Sequence, residues 1–356
     1  MTPHPWNADL WQRLTARGDR LAHALLLAGP AGVGKDAFAM ALAQFLLCEA
    51  PAGASACGQC QNCMLYQAGT HPDLHVIQPE AVTLAQADLA AQYGRRYLPI
   101  RRGETKKYSA EIRVDQVRAL IDAQQTHAHI ARRKIIILSP ADRLNVNAAN
   151  SLLKLLEEPA ADTILMLVSA NPARLVPTIR SRCNRINFAI PPREAGRKWL
   201  AAHDPKTEEM ELLLELAGGA PLTVVAWSDR GFLDQRRELM MDVVGLAEGT
   251  REPVECASRW TAGGVVENLN WFQGWLVDLI RIQMSDKAPE LFNPDAHETL
   301  LSLQKRLKSK WLYTLLDAVS EAKRRSGGQL DEALVAEDIL IRWTNLVQPS
   351  RAQSGN

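Results

Sequence analysis

Long hydrophobic runs are missing from this sequence. Its longest apolar stretches, such as HALLLAG (23–29) and TILMLVSA (163–170), fall far short of the ~20 residues that span a bilayer. The N-terminal residues MTPHPWNADLWQRL also lack the charged start and apolar run of a signal peptide. We therefore expect a cytoplasmic protein without a membrane partner.

An excess of charge of either sign is missing too. The 356 residues include 41 Lys and Arg against 40 Asp and Glu, which leaves a net charge of +1. A protein that coats nucleic acid on its own has a clear basic excess, so this balance argues against strong unaided DNA binding. The length and the 47% hydrophobic content suit two or three globular domains.

Strand-like and helix-like segments alternate through the first half of the chain. Short apolar runs predict buried strands at 23–29, 74–77, 134–138, 164–168 and 186–188. Amphipathic stretches between them predict helices at 35–48, 114–127 and 146–157. Buried strands that alternate with helices are typical of a parallel sheet covered on both faces, so we predict an α/β domain.

Strand-like runs stop after Pro192. We predict two or three short helices in 193–228, interrupted by GGAP (218–221), and long amphipathic helices from about 233 to 347. The tryptophans of this half occupy apolar helical positions, which predicts core or helix–helix contacts rather than a base-stacking surface. They are Trp260, Trp271, Trp275, Trp311 and Trp343.

A phosphate-binding loop is nearly complete in AGPAGVGKDAF (28–38). Gly29, Gly34 and Lys35 have the spacing G-x-x-x-x-G-K, with Gly32 between them, and a strand–loop–helix context suits phosphate binding by backbone N–H groups. The next residue should carry a hydroxyl for Mg²⁺, but it is Asp36. At ~4 Å, and at an effective dielectric constant of about 20, its carboxylate would repel a phosphate charge by about 4 kcal/mol. We expect weak binding of ATP or ADP, or none.

The acidic pair that nucleotide hydrolysis needs is absent. One carboxylate fixes Mg²⁺ and another activates water, directly after a second hydrophobic strand. Here KIIIL (134–138) runs into Ser139 and Pro140, and neither can bind a metal as an anion or act as a base. Asp142 lies farther along, where capping a turn is the simpler interpretation. The sequence therefore predicts the shape of an ATPase without the groups for hydrolysis.

Four of the six cysteines lie within CEAPAGASACGQCQNC (48–63). Four thiolates at the spacing C-x8-C-x2-C-x2-C can close a tetrahedral shell around Zn²⁺ with no position left for water. A disulfide framework does not suit a reducing compartment. We therefore predict a structural zinc site, with four free cysteines as the alternative, on Cys48, Cys57, Cys60 and Cys63.

A basic stretch follows the second predicted strand, at 79–113. We favour its interpretation as a solvated, partly flexible insertion. A patch that contacts DNA phosphates or an acidic partner is the alternative. The cations are Arg95, Arg96, Arg101, Arg102, Lys106 and Lys107.

Several motifs of the first half occur together in a known family. The segments AGTHPDLHVI (68–77), NAANSLLKLLEEP (147–159) and PARLVPTIRSRC (172–183), with the cysteine spacing, resemble the clamp-loader subunits of bacterial DNA polymerase III. These motifs cover about residues 20–190, and the remainder matches only by its helical layout. The missing acidic pair and the length favour a member without ATP hydrolysis over the ATP-hydrolysing tau/gamma subunit.

The resemblance implies an AAA+ architecture with three parts. These are a RecA-like α/β domain at 1–190 that carries the zinc module, a helical lid at 191–232, and an all-α collar at 233–356 that joins subunits into a hetero-oligomeric ring. The lid arginine of ATP-binding relatives falls on Leu222. The family's Ser-Arg-Cys arginine, which reaches a neighbouring subunit's ATP, falls on Arg182. Without the family, an ordinary surface ion pair would be the better interpretation of Arg182.

The resemblance also implies an interaction protein of DNA replication with no ATPase chemistry of its own. Its partners would be the tau/gamma and delta subunits and, through the complex, the sliding clamp and primed DNA. One alternative is a clamp-loader ATPase with its own turnover, for which Gly34 and Lys35 are the main support. Another is a zinc-dependent DNA-binding module, which would need a more basic chain.

Overall fold

The computed structural model describes residues 3–99, 108–123, 128–203, 207–228, 231–262, 264–285, 289, 291–325 and 331–348. The chain forms two compact units, Met1–Lys206 with Ala217–Val224 and Thr207–Leu216 with Val225–Asn356. The three-part division at residues 190 and 232 stays a prediction. Across the described ranges, no helix is both long enough and apolar enough to cross a membrane.

Five parallel strands form the sheet of the first unit. They are β1 (Ala24–Ala28), β2 (Leu74–Ile77), β3 (Lys134–Leu138), β4 (Thr163–Ser169) and β5 (Asn184–Asn187). The strand order is β2-β3-β4-β1-β5, and every neighbouring pair is parallel. Strands β1 to β4 are buried along their whole length, as continuous apolar runs in a doubly covered sheet should be. The predicted α/β fold is confirmed.

Helices cover both faces of this sheet. Alternate side chains of β1 enter different cores: Leu25 and Leu27 pack in one cluster with Phe38, and Leu26 packs in the other with Leu152. The helices are α1 (Ala8–Thr15), α2 (Lys35–Leu47), α3 (Gln61–Gln67), α4 (Glu80–Ala85), α5 (Leu89–Gly94), α6 (Val114–Ala123), α7 (Val146–Glu157), α8 (Pro177–Arg182) and α9 (Arg193–His203). Residues 124–127, the end of the predicted helix 114–127, lie outside the described residues.

The basic stretch is folded where the structure describes it. Tyr93 and Tyr97 are buried, so the prediction of a solvated insertion is wrong for this part. The guanidinium of Arg96 donates to the carbonyl oxygens of His71 at 2.9 Å and Gly69 at 3.2 Å. It therefore stabilises the turn before β2 instead of facing a phosphate. Arg101, Arg102, Lys106 and Lys107 lie outside the described residues.

The second unit is helical throughout the part that the structure describes. Trp260, Trp275 and Trp343 are among its largest fully buried side chains, and Trp271 is 8% exposed. Trp311 is 48% exposed, so the prediction of a core position is wrong there. The helices are α10 (Thr207–Leu216), α11 (Pro221–Ser228, which begins in the first unit), α12 (Phe232–Glu248), α13 (Pro253–Ala262), α14 (Val265–Met284), α15 (His297–Gln304), α16 (Ser309–Arg325) and α17 (Glu332–Val347).

Candidate functional site

The phosphate loop connects β1 to α2, as the sequence predicts. Gly32 and Gly34 have φ angles of 72° and 87°, in the left-handed region that glycine adopts without steric cost. Gly29 lies against the residue that follows β5, because a Cβ there would be 2.2 Å from the carbonyl oxygen of Phe188. The glycines of the motif therefore preserve the shape of the loop.

The lysine of the loop is engaged by the loop itself. Lys35 is only 4% exposed, and its Nζ donates to the carbonyl oxygen of Pro30 at 2.5 Å. Burial lowers the pKa of Lys35, and the nearby carboxylates of Asp36 and Asp142 oppose that shift. The cation that should meet phosphate oxygens thus already has an acceptor.

Residues from the N-terminal segment contact the loop from one side. The indole Nε1 of Trp6 and the side-chain amide of Asn7 both donate to the carbonyl oxygen of Val33 at 3.0 Å. The ring of His4 lies against Gly34, since a Cβ at Gly34 would be 2.5 Å from His4 Cδ2. The chain's own side chains therefore occupy space directly beside the loop.

The start of α11 contacts the loop as well. The backbone N–H of Leu222 donates to the carbonyl oxygen of Gly32 at 3.1 Å. A Cβ on Gly32 would be 2.1 Å from the Thr223 hydroxyl oxygen. Leu222 is the position on which the lid arginine of ATP-binding relatives falls. It therefore contacts the loop through its backbone, but its side chain brings no charge to it.

An aromatic group that the sequence analysis missed extends from this contact. His4 stacks on Trp6 with ring centroids 4.9 Å apart, and Trp199 meets their edges at 5.3 and 5.5 Å. His203 stacks on Trp199 at 3.8 Å. The only sequence signal was HPW near the N-terminus, whose aromatic residues lie outside any predicted helix.

The two residues that depart from the ATPase pattern meet each other. The hydroxyl of Ser139, at the end of β3, donates to the carboxylate of Asp36 in the first turn of α2. Asp142 accepts from the Ser169 hydroxyl at 2.7 Å and from the backbone N–H of Ala170 at 3.1 Å. Its carboxylate therefore joins the turn after β3 to the end of β4, which is close to the capping role that the sequence suggests.

Arg182 is the last residue of α8. Its Nη2 lies 2.7 Å from Glu157 Oε1, and its Nη1 donates to the carbonyl oxygen of Thr178 at 3.2 Å. Its side chain is 38% exposed and that of Glu157 is 50% exposed. In this chain Arg182 makes a surface ion pair with Glu157.

The four clustered cysteines come together in space. Their ligand atoms all lie within 4.8 Å of one another, and the Sγ pairs Cys57–Cys63 and Cys48–Cys60 are each 4.0 Å apart. Four sulfurs at about 2.3 Å from a tetrahedral zinc ion would be about 3.8 Å apart. The cluster can therefore hold a metal ion such as zinc with little change of geometry.

Backbone N–H groups point at these sulfurs. Cys57 Sγ accepts from Gln59 N at 3.5 Å and Cys60 N at 3.3 Å, and these bonds lower the pKa of the Cys57 thiol to about 6. Burial raises the pKa of Cys63. A thiolate is the form that ligates metal, and the N–H groups favour it at Cys57.

Comparison with known proteins identifies the family to which the chain is similar. The family model described as "DNA polymerase III, delta subunit" matches residues 6–192, and the one described as "DNA polymerase III, delta subunit, C terminal" matches residues 230–345. DNA polymerase III subunit delta' of Pseudomonas aeruginosa is 35% identical over 97% of this chain and 98% of its own. The Escherichia coli delta' subunit is 28% identical over 97% and 96%.

A more distant relative is the tau subunit of DNA polymerase III from Salmonella typhimurium. It is 27% identical over 67% of this chain and 34% of its own length. The delta' subunits of Pseudomonas aeruginosa and Escherichia coli are matched over nearly their whole length, whereas tau is matched over a third of it. The chain belongs to the family of DNA polymerase III delta' subunits.

Proposed function

We propose that this chain is a non-hydrolysing clamp-loader subunit of DNA polymerase III. It would supply Arg182 to the ATP site of a neighbouring ATPase subunit and help to load the sliding clamp onto primed DNA. The observation that carries the proposal is the contact between Ser139 and Asp36. Where hydrolysis requires a metal-binding carboxylate after the strand, this chain has a hydroxyl, and that hydroxyl is bonded to the residue that replaces the Mg²⁺-binding Ser or Thr.

The surroundings of the phosphate loop support the absence of turnover. Lys35 is buried and bonded to Pro30, so binding a phosphate would require it to exchange partners. Trp6 and His4 pack beside the loop, and Leu222 adds no cation. Gly29, Gly32 and Gly34 would then have a structural role rather than a nucleotide-binding one.

The position of Arg182 supports a role in trans. A guanidinium is planar, always charged and able to contact two phosphate oxygens, which suits stabilisation of transition-state charge in another subunit. Arg182 is partly exposed, and its ion pair with Glu157 is exposed on both sides. Exposed pairs contribute little stability, so a neighbour's triphosphate can take the place of Glu157.

The proposed setting follows from family membership. The tau/gamma and delta subunits would be its direct partners in a cytoplasmic hetero-oligomer, with the collar at 233–356 joining them. The ion at Cys48, Cys57, Cys60 and Cys63 would be a structural zinc, because four protein thiolates leave no position for water or substrate. A RecA-like domain at 1–190 and a lid at 191–232 complete the proposed organisation.

The second candidate function is an AAA+ ATPase with its own turnover. The preserved shape of the loop around Gly34 and Lys35 favours it. Steady-state ATP hydrolysis by the isolated chain separates the two candidates. We expect background turnover, and a DNA-stimulated rate of ~1 s⁻¹, within the usual enzyme range, would establish the rival.

The role in trans is tested by Arg182→Ala in a complex reconstituted with partner subunits. We expect the ATPase rate at the site that receives Arg182 to fall by about 10³-fold or more, as for arginine fingers supplied in trans, while assembly is retained. Arg180→Ala is the matched control, because Arg180 is an exposed arginine two residues away in α8. Wild-type turnover with Arg182→Ala, or an equal loss with Arg180→Ala, would contradict the assignment.

A further inference from the structure

Trp311 belongs to a basic and aromatic stretch of the second unit whose exposed aromatic rings have no assigned role in the fold or in the proposed function. Six exposed side chains lie within nine residues that include the turn between α15 and α16. Four of them are cations and two are aromatic, with Trp311 48% exposed and Tyr313 47% exposed. The 305–313 patch consists of Lys305, Arg306, Lys308, Lys310, Trp311 and Tyr313.

Ion pairs do not neutralise this patch among the described residues, and the next acidic residue, Asp317, lies one helical turn after Tyr313 on α16. Between Glu298 and Asp317 the sequence contains no Asp or Glu. In the described ranges, no salt bridge joins any of its four cations to a carboxylate. Arg306 donates one hydrogen bond, to the carbonyl oxygen of Ala247 at 3.0 Å, which fixes its side chain without removing its charge. The patch is a concentrated positive surface on a chain whose net charge is only +1.

The turn that carries the patch is held firmly. The side-chain amide of Gln283, on α14, donates to the carbonyl oxygens of Gln304 at 3.3 Å and Leu307 at 3.0 Å. The Ser309 hydroxyl donates to Gln283 Oε1 at 2.9 Å. Leu312 is completely buried beneath the first turn of α16. The exposed aromatic rings therefore extend from a fixed support.

Core packing accounts for one face of α16 but not for these rings. Leu312, Leu315 and Val319 form the buried face, whereas Trp311 and Tyr313 lie outside it. Trp311 and Tyr313 are each about half exposed. Because they are two residues apart on the helix, they extend to opposite sides of this face, and each ring offers its own apolar surface to a strand that crosses α16. A stacking partner would cover that surface, and the flanking cations select a partner with negative charge.

We propose that the 305–313 patch binds single-stranded DNA. Single strands offer a regular row of phosphates together with bases whose faces are free to stack, and both features are matched by interleaved cations and aromatic rings. Duplex DNA has the phosphates but keeps its base faces stacked, and an acidic peptide has the charge without a base. The contact is independent of Arg182 and of any nucleotide in the phosphate loop.

Fluorescence anisotropy of a labelled oligo(dT) of about 20 nucleotides with the full chain tests the proposal. With four phosphates neutralised on a single strand, the slope of log K against log salt should be about −2.8. Lys308→Gln with Lys310→Gln should reduce the magnitude of that slope by about 1.4. The control pair Lys154→Gln with Lys198→Gln removes the same charge at exposed positions in the other unit and should leave the slope unchanged.

Stacking has its own test. Trp311→Ala should weaken binding of oligo(dT) about 10-fold with the salt slope preserved, because stacking is sequence-tolerant and uncharged, and Trp311→Phe should recover most of the affinity. Circular dichroism of each variant verifies folding. Unchanged affinity with Trp311→Ala, or an equal loss with the control pair, would overturn the proposal. So would binding of polyglutamate or of phosphatidylserine vesicles in preference to oligo(dT).

Discussion

Glu157 holds Arg182 across the gap between α7 and α8, with Oε1 2.7 Å from Nη2. Glu157 belongs to the motif LLKLLEEP and Arg182 to TIRSRC, so two motifs that are separate in sequence meet at one ion pair. The pair gives the arginine a defined resting position in the chain alone.

We expect this pair to contribute little to stability. Glu157→Gln should lower the free energy of unfolding by less than about 1 kcal/mol, because both side chains are exposed and the pair is screened by solvent. The difference should shrink further as salt is raised. Urea denaturation of the variant and of Glu158→Gln, an exposed neighbour in the same motif, measures it. A loss of more than about 2 kcal/mol would show that the pair is structural rather than a resting contact.

Metal content tests the cysteine cluster. We expect about one zinc ion per chain in purified protein, because four thiolates complete the shell. Cys60→Ser should reduce the content well below one and lower the unfolding temperature of the first unit, because a structural metal stabilises only the folded state. Cys183→Ser, a cysteine outside the cluster, should retain the ion. Wild-type protein with far less than one zinc per chain would refute the assignment.

His75 should make stability depend on pH. Burial lowers the pKa of His75 to about 4, helped by the positive charges of Lys134 and Arg96 and opposed by Asp73. Between about pH 6.5 and 4 the unfolded chain binds a proton that the folded chain does not, so stability falls as the pH falls. By about pH 4 this difference in proton binding lowers the free energy of unfolding by about 3 kcal/mol.

Substitution of His75 measures this contribution. His75→Gln should flatten the stability profile between about pH 4 and 6.5, although burial also lowers the pKa of His71 and some slope should persist. His297→Gln, at a partly exposed histidine of the other unit, serves as the control. Chemical denaturation at a series of pH values gives the profile. An identical slope in wild type and His75→Gln would show that this histidine does not set it.

The α/β fold was predictable because the strands are strongly patterned. In a run such as KIIIL (134–138), side chains on both faces of the strand are apolar and must be buried. Continuous apolar runs of this kind are typical of a parallel sheet covered on both faces. Contacts between distant residues were not predictable. Nothing local places Trp6 on the carbonyl oxygen of Val33 or Glu157 beside Arg182, since each depends on how separate elements pack.

Trp311 shows the limit of reading burial from a helical pattern. Its apolar neighbours Leu312 and Leu315 are buried. Trp311 lies one residue before Leu312, so the sequence pattern alone assigns it to the same buried face of the helix. The 3.6-residue period predicts roughly how wide the buried face is, but not which residue at its border is still buried. Similarly, Arg96 counts as a surface charge in sequence, whereas its guanidinium binds main-chain carbonyl groups.

The hydroxyl of Ser139 and the carboxylate of Asp36 constrain how this chain can change. Ser139→Asp alone would set two carboxylates face to face, with a repulsion of about 4 kcal/mol at ~4 Å and an effective dielectric constant of about 20. Asp36→Ser alone would leave two hydroxyls and no anion for magnesium. Neither single substitution gives both a hydroxyl at position 36 and a carboxylate at position 139, so the two positions are coupled and a change at one would need a matching change at the other.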